Sequence, residues 1–561
     1  MNRSLARTSV AGLAVTLLLA ALAGCATIPT TSAVVQGPDI QNQLTNDYLY
    51  YSPAGPVKGE SAADILAGFL NASTGPQNDY GVARQYLVPN FRTSWSPNQK
   101  VYIQRGSQKT QIGADGTATV AIGVSAEVDS QGHYTTVPAT SKVNLHFKLV
   151  KTNGEWRISQ APNAVVMIRP VFEVIFRSYE VYFFDHTYRN LIPDLRWFPA
   201  RASTATRLVN ALLSGPSDWL KSAVGAVLPT GAKLAIDAVT VDKKAAVVNL
   251  SSQSLKASRA QLRWFKAQLT TTLTQLTGID SVQLQIDSVP QSVSNYAPAS
   301  TSSSAFAPVI LSGGSLQQLI GPAGSNLSNA DGWISQYGIK DFAVTSDEST
   351  VSLVGHGSVY RADLQATGVA PTLVDNRKSL LPPRFDNRDQ LWLVGADGRI
   401  QVVSNGAKPT WMSIPWLDKH TVKAFDISPE GGRIALVVAD ADGNEKLYVA
   451  AIVRHGSGLP AGIATPIELT YGVGVPTSIE WSGESGVMVL SDIGGGSSNI
   501  SQLNIGGDPR EIGTLIHAVG LMTSSDGTNI YVLQDDGKLM EYRGYTWSLL
   551  AQDVAAAHMA D

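Results

Sequence analysis

From Phe342 onward the chain repeats itself, and the repeat limits what its C-terminal part can fold into. In each unit an apolar segment passes through a turn-prone stretch to a second apolar segment. Phe342-Ala343-Val344 leads to Thr350–Val354, and Pro383-Arg384-Phe385 leads to Leu391–Val394. Ala424–Ser428 leads to Ile434–Val438, Ser478–Ser482 to Val487–Leu490, and Val519–Met522 to Ile530–Leu533. The units start roughly 42 residues apart, with one longer interval near Arg454 to Pro476, and a period of about 40 to 45 residues is that of four-stranded propeller blades. One unit cannot bury its own sheet; stacking around an axis creates the core. Five units are clear. A sixth is expected to combine Val309–Leu319 with Trp547–Val554, which would close the ring and hide the last sheet edges. The Asp-Gly pairs at Asp397, Asp526 and Asp536 read as hairpin turns.

Upstream the pattern changes to mixed helix and strand. Ser61 and Asp64 form a capping box before Ile65, Leu66, Phe69 and Leu70 at helical spacing. A second helix is expected over Tyr80 to Leu87, stopped by Pro89. Thr117–Val128 and Val143–Leu149 alternate as strands between turns at Asp115-Gly116, Gln131-Gly132 and Asn153-Gly154. This domain is assigned to 59–166, and its element order resembles the NTF2-like fold. A second α+β domain is assigned to 169–289. It opens with an aromatic strand over Val171 to Phe184. Helices follow over Thr204–Leu213 and Ser258–Leu276, with strands at Val239–Val241, Ala246–Leu250 and Val282–Ile286. Residues 290–305 are Ser, Ala and Pro rich and read as a linker before the propeller, 306–556. The expected fold class is therefore two α+β domains followed by an all-β propeller of five or six blades.

The N-terminus sets the compartment. Arg3 and Arg7 precede an apolar run, Val10 to Ala23, too short to span a bilayer but suited to an export signal. It ends in Leu22-Ala23-Gly24-Cys25, and Cys25 is the single cysteine of 561 residues. That tetrapeptide resembles the lipobox of bacterial lipoproteins. The resemblance implies a signal peptide over 1–24, diacylglycerol on Cys25, and an acylated mature amine. Ordinary cleavage after Ala23 is the alternative. It would leave an exposed free thiol in an oxidising compartment. Residues 25–58 then serve as a tether, Thr, Pro, Ser and Gly rich at its start and unable to bury a core. A net charge of −3 with no basic stripe argues against a nucleic-acid partner.

Motifs for catalysis are absent from the sequence. There is no G-x-S-x-G, no S-x-x-K, no phosphate-binding G-x-x-x-x-G-K and no H-E-x-x-H. Asp440-Ala441-Asp442-Gly443-Asn444-Glu445 glances at a calcium loop, but its glycine is misplaced and the twelfth position is Ala451. It reads as a β-turn. No cofactor, metal or catalytic residue is assigned. The aromatic cluster Tyr179, Tyr182, Phe183, Phe184, Tyr188, Trp197 and Phe198 reads as domain core rather than a ligand groove. Trp411 and Trp416 lie between blades, with an exposed binding role as the minor reading.

Taken together, the lipobox, the stretch EVYFFDHTYRNLIPDLRWFP (180–199), and the phrases NALLSGP (210–216) and TTLTQLTGIDSVQLQID (271–287) carry two resemblances. The last two phrases resemble the GerMN domain of exported bacterial proteins. The whole chain, with its propeller, resembles the actinobacterial LpqB lipoprotein family. That resemblance implies a lipid-anchored protein on the extracytoplasmic face of the cell membrane. It further implies contact with the extracellular sensor region of the MtrB histidine kinase, modulating an MtrAB-type two-component system and cell-envelope homeostasis. Two rival classes stand beside it. One is an envelope hydrolase with an active site borne on the propeller, for which Asp386, Asp389 and Glu430 are candidates. Their other reading is solvated loop carboxylates. The second rival is a non-catalytic lipoprotein that binds wall polymer.

Overall fold

The computed structural model describes residues 53–299 except 202, and 307–560 except 321–323, 328–330, 367 and 405–407. The described residues all fall in one compact unit. The first helix, Ala62–Ala72, starts at a complete capping box: Ser61 Oγ accepts from the Asp64 N–H, and the Asp64 carboxylate accepts from the Ser61 N–H. Its buried face is Ile65, Leu66, Phe69 and Ala72. These pack on a sheet ordered Glu155–Gln160, Lys142–Thr152, Thr117–Asp129, Lys100–Ile112, Val165–Ile168, with Tyr134–Thr136 added beside Thr117–Asp129. Thr117–Asp129 alternates strictly, Ala118, Val120, Ile122, Val124, Ala126 and Val128 all pointing inward, as one buried face requires.

Two expectations about this half need correction. Pro89 does not simply stop a helix. The helix is Gly81–Gln85, and Pro89 opens another helical turn, Pro89–Arg92, because its missing N–H costs nothing at a helix start. The stretch expected as a strand from Val171 is helical over Arg169–Ile175, again with proline in the first turn, and the strand begins at Phe176. Phe172 and Phe176 stack with centroids 4.8 Å apart and pack into the first domain's core.

The second domain is built on an antiparallel hairpin, Phe176–Phe184 with Leu191–Pro199. Ala245–Leu250 and Ser281–Ile286 pair in parallel, and the helix Arg259–Leu273 makes the crossover that parallel strands need. The described part of the stretch expected as a linker runs along this domain. Val293 and Tyr296 pack on its core, and Tyr296 Oη donates to the Tyr188 carbonyl at 2.7 Å.

Among the described residues the C-terminal part forms six blade sheets. Blade II is Ile339–Val344, Thr350–Gly355, Ser358–Asp363 and Thr372–Asp375. Blade III is Arg384–Phe385, Leu391–Val394, Ile400–Val403 and Thr410–Met412. Blade IV runs Thr421–Ile427, Arg433–Ala439 and Glu445–Arg454. Both Pro460–Ile463 and Ile467–Leu469 then pair with its third strand, which accounts for the long repeat interval. Blade V is Val475–Ser482, Gly486–Gly494, Ser497–Asn504 and Arg510–Ile516. Blade VI is Ala518–Thr523, Ile530–Gln534, Leu539–Arg543 and Thr546–Ala551. Blade I joins the two ends of the repeat region: Val309–Ser312, Ser315–Gln318 and Ser325–Asn326 are completed by Val554–His558 as the innermost strand. The closing strand is therefore not Trp547–Val554 as expected. Gly544 makes a tight turn that returns Thr546–Ala551 onto Leu539–Arg543 as the outer strand of blade VI. The innermost strands neighbour one another in the order I, II, III, IV, V, VI and back to I, so the ring is closed.

Candidate functional site

In blades II to VI the innermost strand ends in a turn leading to the blade's second strand, and these turns share one face of the propeller. The aromatic hairpin of the second domain docks there. At its tip the Asp185 carboxylate accepts from the N–H groups of Thr187 and Arg189. Arg388, in the first turn of blade III, donates to Asp185 Oδ2 and Thr187 Oγ1, each at 2.8 Å. Tyr182 Oη donates to Glu484 in the blade V turn. Burial, then the Glu484 charge, pushes the Tyr182 phenol far above its ordinary value, which keeps the proton on the donor. Trp197 bridges all three domains. Its backbone N–H donates to the Gly132 carbonyl of the first domain at 2.8 Å, and its Nε1 to the Gly506 carbonyl of blade V at 2.7 Å. Gly132 has φ +82°, and a Cβ there would lie 2.9 Å from the Trp197 carbonyl oxygen. Arg169, at the start of the helix Arg169–Ile175, pairs with Asp508 in the same loop.

The structure sorts the aromatic cluster by position. Phe183, Phe184 and Phe198 are buried in the domain core, Tyr188 stacks on Trp264 at 3.9 Å, and Tyr182 and Trp197 reach the propeller.

Two of the three carboxylates offered for an enzyme are not solvated loop groups. Asp386 is buried and accepts from Arg454 Nη2 at 2.7 Å, Trp392 Nε1 at 2.9 Å and two backbone N–H groups of its own turn. Glu430 is buried against Arg433 Nε and Nη2 at 2.7 and 3.0 Å and accepts from Ser428 Oγ at 2.7 Å. The second domain docks over the turns of blades III to V, where Asp386 and Glu430 sit dry. Only Asp389 is exposed. Burial, then the nearby Asp347 and Asp386 charges, raises its carboxyl. Asp386 and Glu430 each serve their own turn.

The polar centre that the sequence reading missed lies on the axis. Arg384, Asp426 and Glu480 occupy one repeat position, two residues before the turn-opening Asp386, Ser428 and Ser482, in three consecutive blades. Arg384 Nε lies 3.2 Å from Asp426 Oδ1, and its Nη2 donates to Glu480. Its Nη1 meets His558 Nδ1 at 2.8 Å, and His558 Nε2 meets Asp341 Oδ1 at 2.5 Å. A guanidinium can only donate, so His558 Nδ1 is the acceptor and Nε2 carries the proton toward Asp341. Five blades are tied across the axis in this way. Burial opposes the Asp341 charge, but His558, its hydrogen bond and the Phe342 N–H hold the carboxyl below its usual range. At Asp426 burial prevails over Arg384 and raises the carboxyl. The usable signal was a charged residue inside otherwise apolar repeat segments.

Above this network a cavity of about 240 Å³ opens on the face away from the second domain, its mouth lined by Lys340, Lys423, Thr477 and Val519. A cleft of about 710 Å³ lies where the three domains meet, beside His133, Asp194 and Trp219, and a groove of about 360 Å³ lies within the second domain. Among the described residues no group of His, Cys, Asp or Glu is arranged to hold a metal, and no helix is long and apolar enough to cross a membrane. Asp440 caps its own turn, accepting from the N–H groups of Asp442 and Asn444. Trp411 is half exposed beneath the Arg377 guanidinium, and Trp416 packs on Tyr448. Cys25 lies outside the described residues.

Three family models match the chain. Residues 55–173 match the one described as Lipoprotein LpqB, N-terminal domain; residues 180–292 match Germane, described as sporulation and spore germination; residues 314–558 match the Lipoprotein LpqB beta-propeller domain. Lipoprotein LpqB of Streptomyces coelicolor is 27% identical over 542 residues, covering 87% of each chain. Lipoprotein LpqB of Cutibacterium acnes is 24% identical over 602 residues, covering 95% of this chain and 96% of that one. TolB from Acinetobacter baumannii aligns with a TM-score of 0.34 and 13% identity over 45% of this chain and 66% of its own, too loosely to argue from.

Proposed function

The chain belongs to the LpqB lipoprotein family, and from that premise we propose that it is an anchored docking protein for a sensor kinase. Acyl groups on Cys25 hold it on the extracytoplasmic face of the membrane. The folded domains bind the extracytoplasmic sensor region of an MtrB-type histidine kinase and tune its output, with no turnover of their own. The kinase's identity comes from the family resemblance. The observation that carries the physical part is the buried Asp185–Arg388 contact at 2.8 Å. It commits one propeller face to the second domain and leaves the other for a partner. Two acyl chains confine the protein to the surface where an integral partner resides, which raises its effective concentration and lets weak docking suffice. The hydrolase reading is not favoured, because Asp386 and Glu430 are each neutralised by an arginine of their own.

The test is a titration of residues 26–561 against the isolated kinase sensor domain, alongside kinase output in cells lacking the lipoprotein. Saturable binding and an altered output are expected. No binding together with unchanged output would defeat the proposal.

A further inference from the structure

The open face of the propeller carries a mixed surface that the fold does not use. Val473, Val475, Ile493, Ile516 and Val519 are 42–70% exposed. All five lie where strands of blades V and VI meet that face: two at or before the start of blade V's first strand, two at the far ends of its second and fourth strands, and Val519 near the start of blade VI. Four of them follow one edge of the blade V sheet, and Val519 starts the next blade. Val475 pairs with Asp492, a Cβ on Gly474 would lie 2.9 Å from Ile493 Cγ2, and Ile516 pairs with Ser497 across the Gly494–Gly496 turn. Exposed aliphatic residues gathered in this way mark an interaction surface. Val519 also lines the axial cavity, whose opposite lip carries Lys340 and Lys423 from blades II and IV. Both lysines are exposed, and neither makes an ion pair among the described residues.

We propose that this mouth docks a peptide segment of a partner protein in which a carboxylate side chain enters the axial cavity between Lys340 and Lys423 while flanking aliphatic side chains cover Val475, Ile493, Ile516 and Val519. Asp341 and Glu480 in the cavity wall are already paired, with His558 and Arg384, so the two rim lysines are the charges left to select an anionic group. The cavity, of about 240 Å³, takes a protruding side chain, and its wall, with the buried Arg384 and Glu480, does not suit a lipid acyl chain. A second copy of this chain would set the same lysines against each other. The inference rests on the proposed docking role and goes beyond it by naming the surface and the chemistry that the surface takes.

The experiment uses purified residues 26–561 and two probes. The first is a labelled synthetic peptide of alternating leucine and glutamate, with a leucine–lysine peptide as control; the second is the kinase sensor domain. The leucine–glutamate peptide is expected to bind and the lysine peptide not. The Lys340→Glu/Lys423→Glu double variant and Val519→Asp should each weaken binding about tenfold, the effect expected when docking charges are reversed or an apolar anchor is made polar. All these side chains are exposed, so unchanged melting temperatures serve as the folding check. Binding unaffected by either variant, or no binding of the acidic peptide, overturns the proposal. So does co-sedimentation with phosphatidylglycerol vesicles, or self-association, that the same substitutions abolish. If the sensor domain binds both variants as tightly as wild type, this surface is wrong and the kinase role stands. If the acidic peptide binds and the sensor domain does not, the surface stands and the kinase role falls.

Discussion

Asp185, at the tip of the second domain's hairpin, and Arg388, in the first turn of blade III, are joined at 2.8 Å with both side chains buried. The residues are 203 positions apart, so the contact measures how firmly the α+β domains and the propeller act as one body. Ile192 adds apolar contact beside it: a Cβ on Gly432 would sit 2.8 Å from its side chain. With Tyr182–Glu484 and Trp197–Gly506, the hairpin is a peg in the propeller face.

Replacing Arg388 by methionine should therefore cost about 3 kcal/mol, the penalty of stranding a buried carboxylate. Chemical denaturation should show the loss. Arg388→Met/Asp185→Asn, which removes both charges, should recover part of it. A single variant as stable as wild type would mean that the domains are not held by this pair.

Arg384→Met should be costlier, about 4 kcal/mol, because it leaves Asp426 and Glu480 facing each other and takes the donor from His558. The loss should come with increased hydrogen exchange in Val554–His558, the strand that closes the ring. Denaturant melts and exchange of that strand provide the check.

The axial carboxylates give opposite pH signatures. Asp341 has a lowered folded value, so its contribution is full above its ordinary value of about 3.9 and is lost as pH falls through the lowered one. Asp426 has a raised folded value, so its contribution is full below about 3.9 and is lost as pH rises through the raised one. Asp341→Asn should flatten the acid limb of the stability profile and Asp426→Asn its rise-side loss, both read from melting temperature against pH. The same slope in variant and wild type would contradict the assignment.

The propeller was legible because a single blade cannot bury itself, so its repeat must appear in the sequence. The closing strand was misplaced because Trp547 and Val554 both sit in apolar surroundings, and only the Gly544 turn decides which strand returns onto blade VI. Pro89 reads as a helix stop and the stretch from Val171 as strand, but a proline in the first turn suits a helix start in both places, and Phe172 packs its helix into the first domain's core. The axial network was not legible as a site. Arg384, Asp426, Glu480 and His558 are scattered over 174 positions, and ring closure alone brings them together. Asp386 and Glu430 looked solvated because the domain that covers them lies two hundred residues upstream in the chain.

Cys25→Ser should move the protein from the membrane fraction to the soluble envelope fraction or medium. Each buried CH₂ of an acyl chain is worth about 0.8 kcal/mol, and no second anchor is proposed. Fractionation and the mass of the mature N-terminus report it. Unchanged membrane retention with no acyl mass would sink the lipobox reading.

Hydrogen exchange on residues 26–561, with and without saturating kinase sensor domain, tests the central claim most directly. The account predicts new protection at 473–475, 492–496 and 516–519, with the docked hairpin 182–199 unchanged because it is already covered. Protection confined to the first or second domain, or none at saturation, would contradict it.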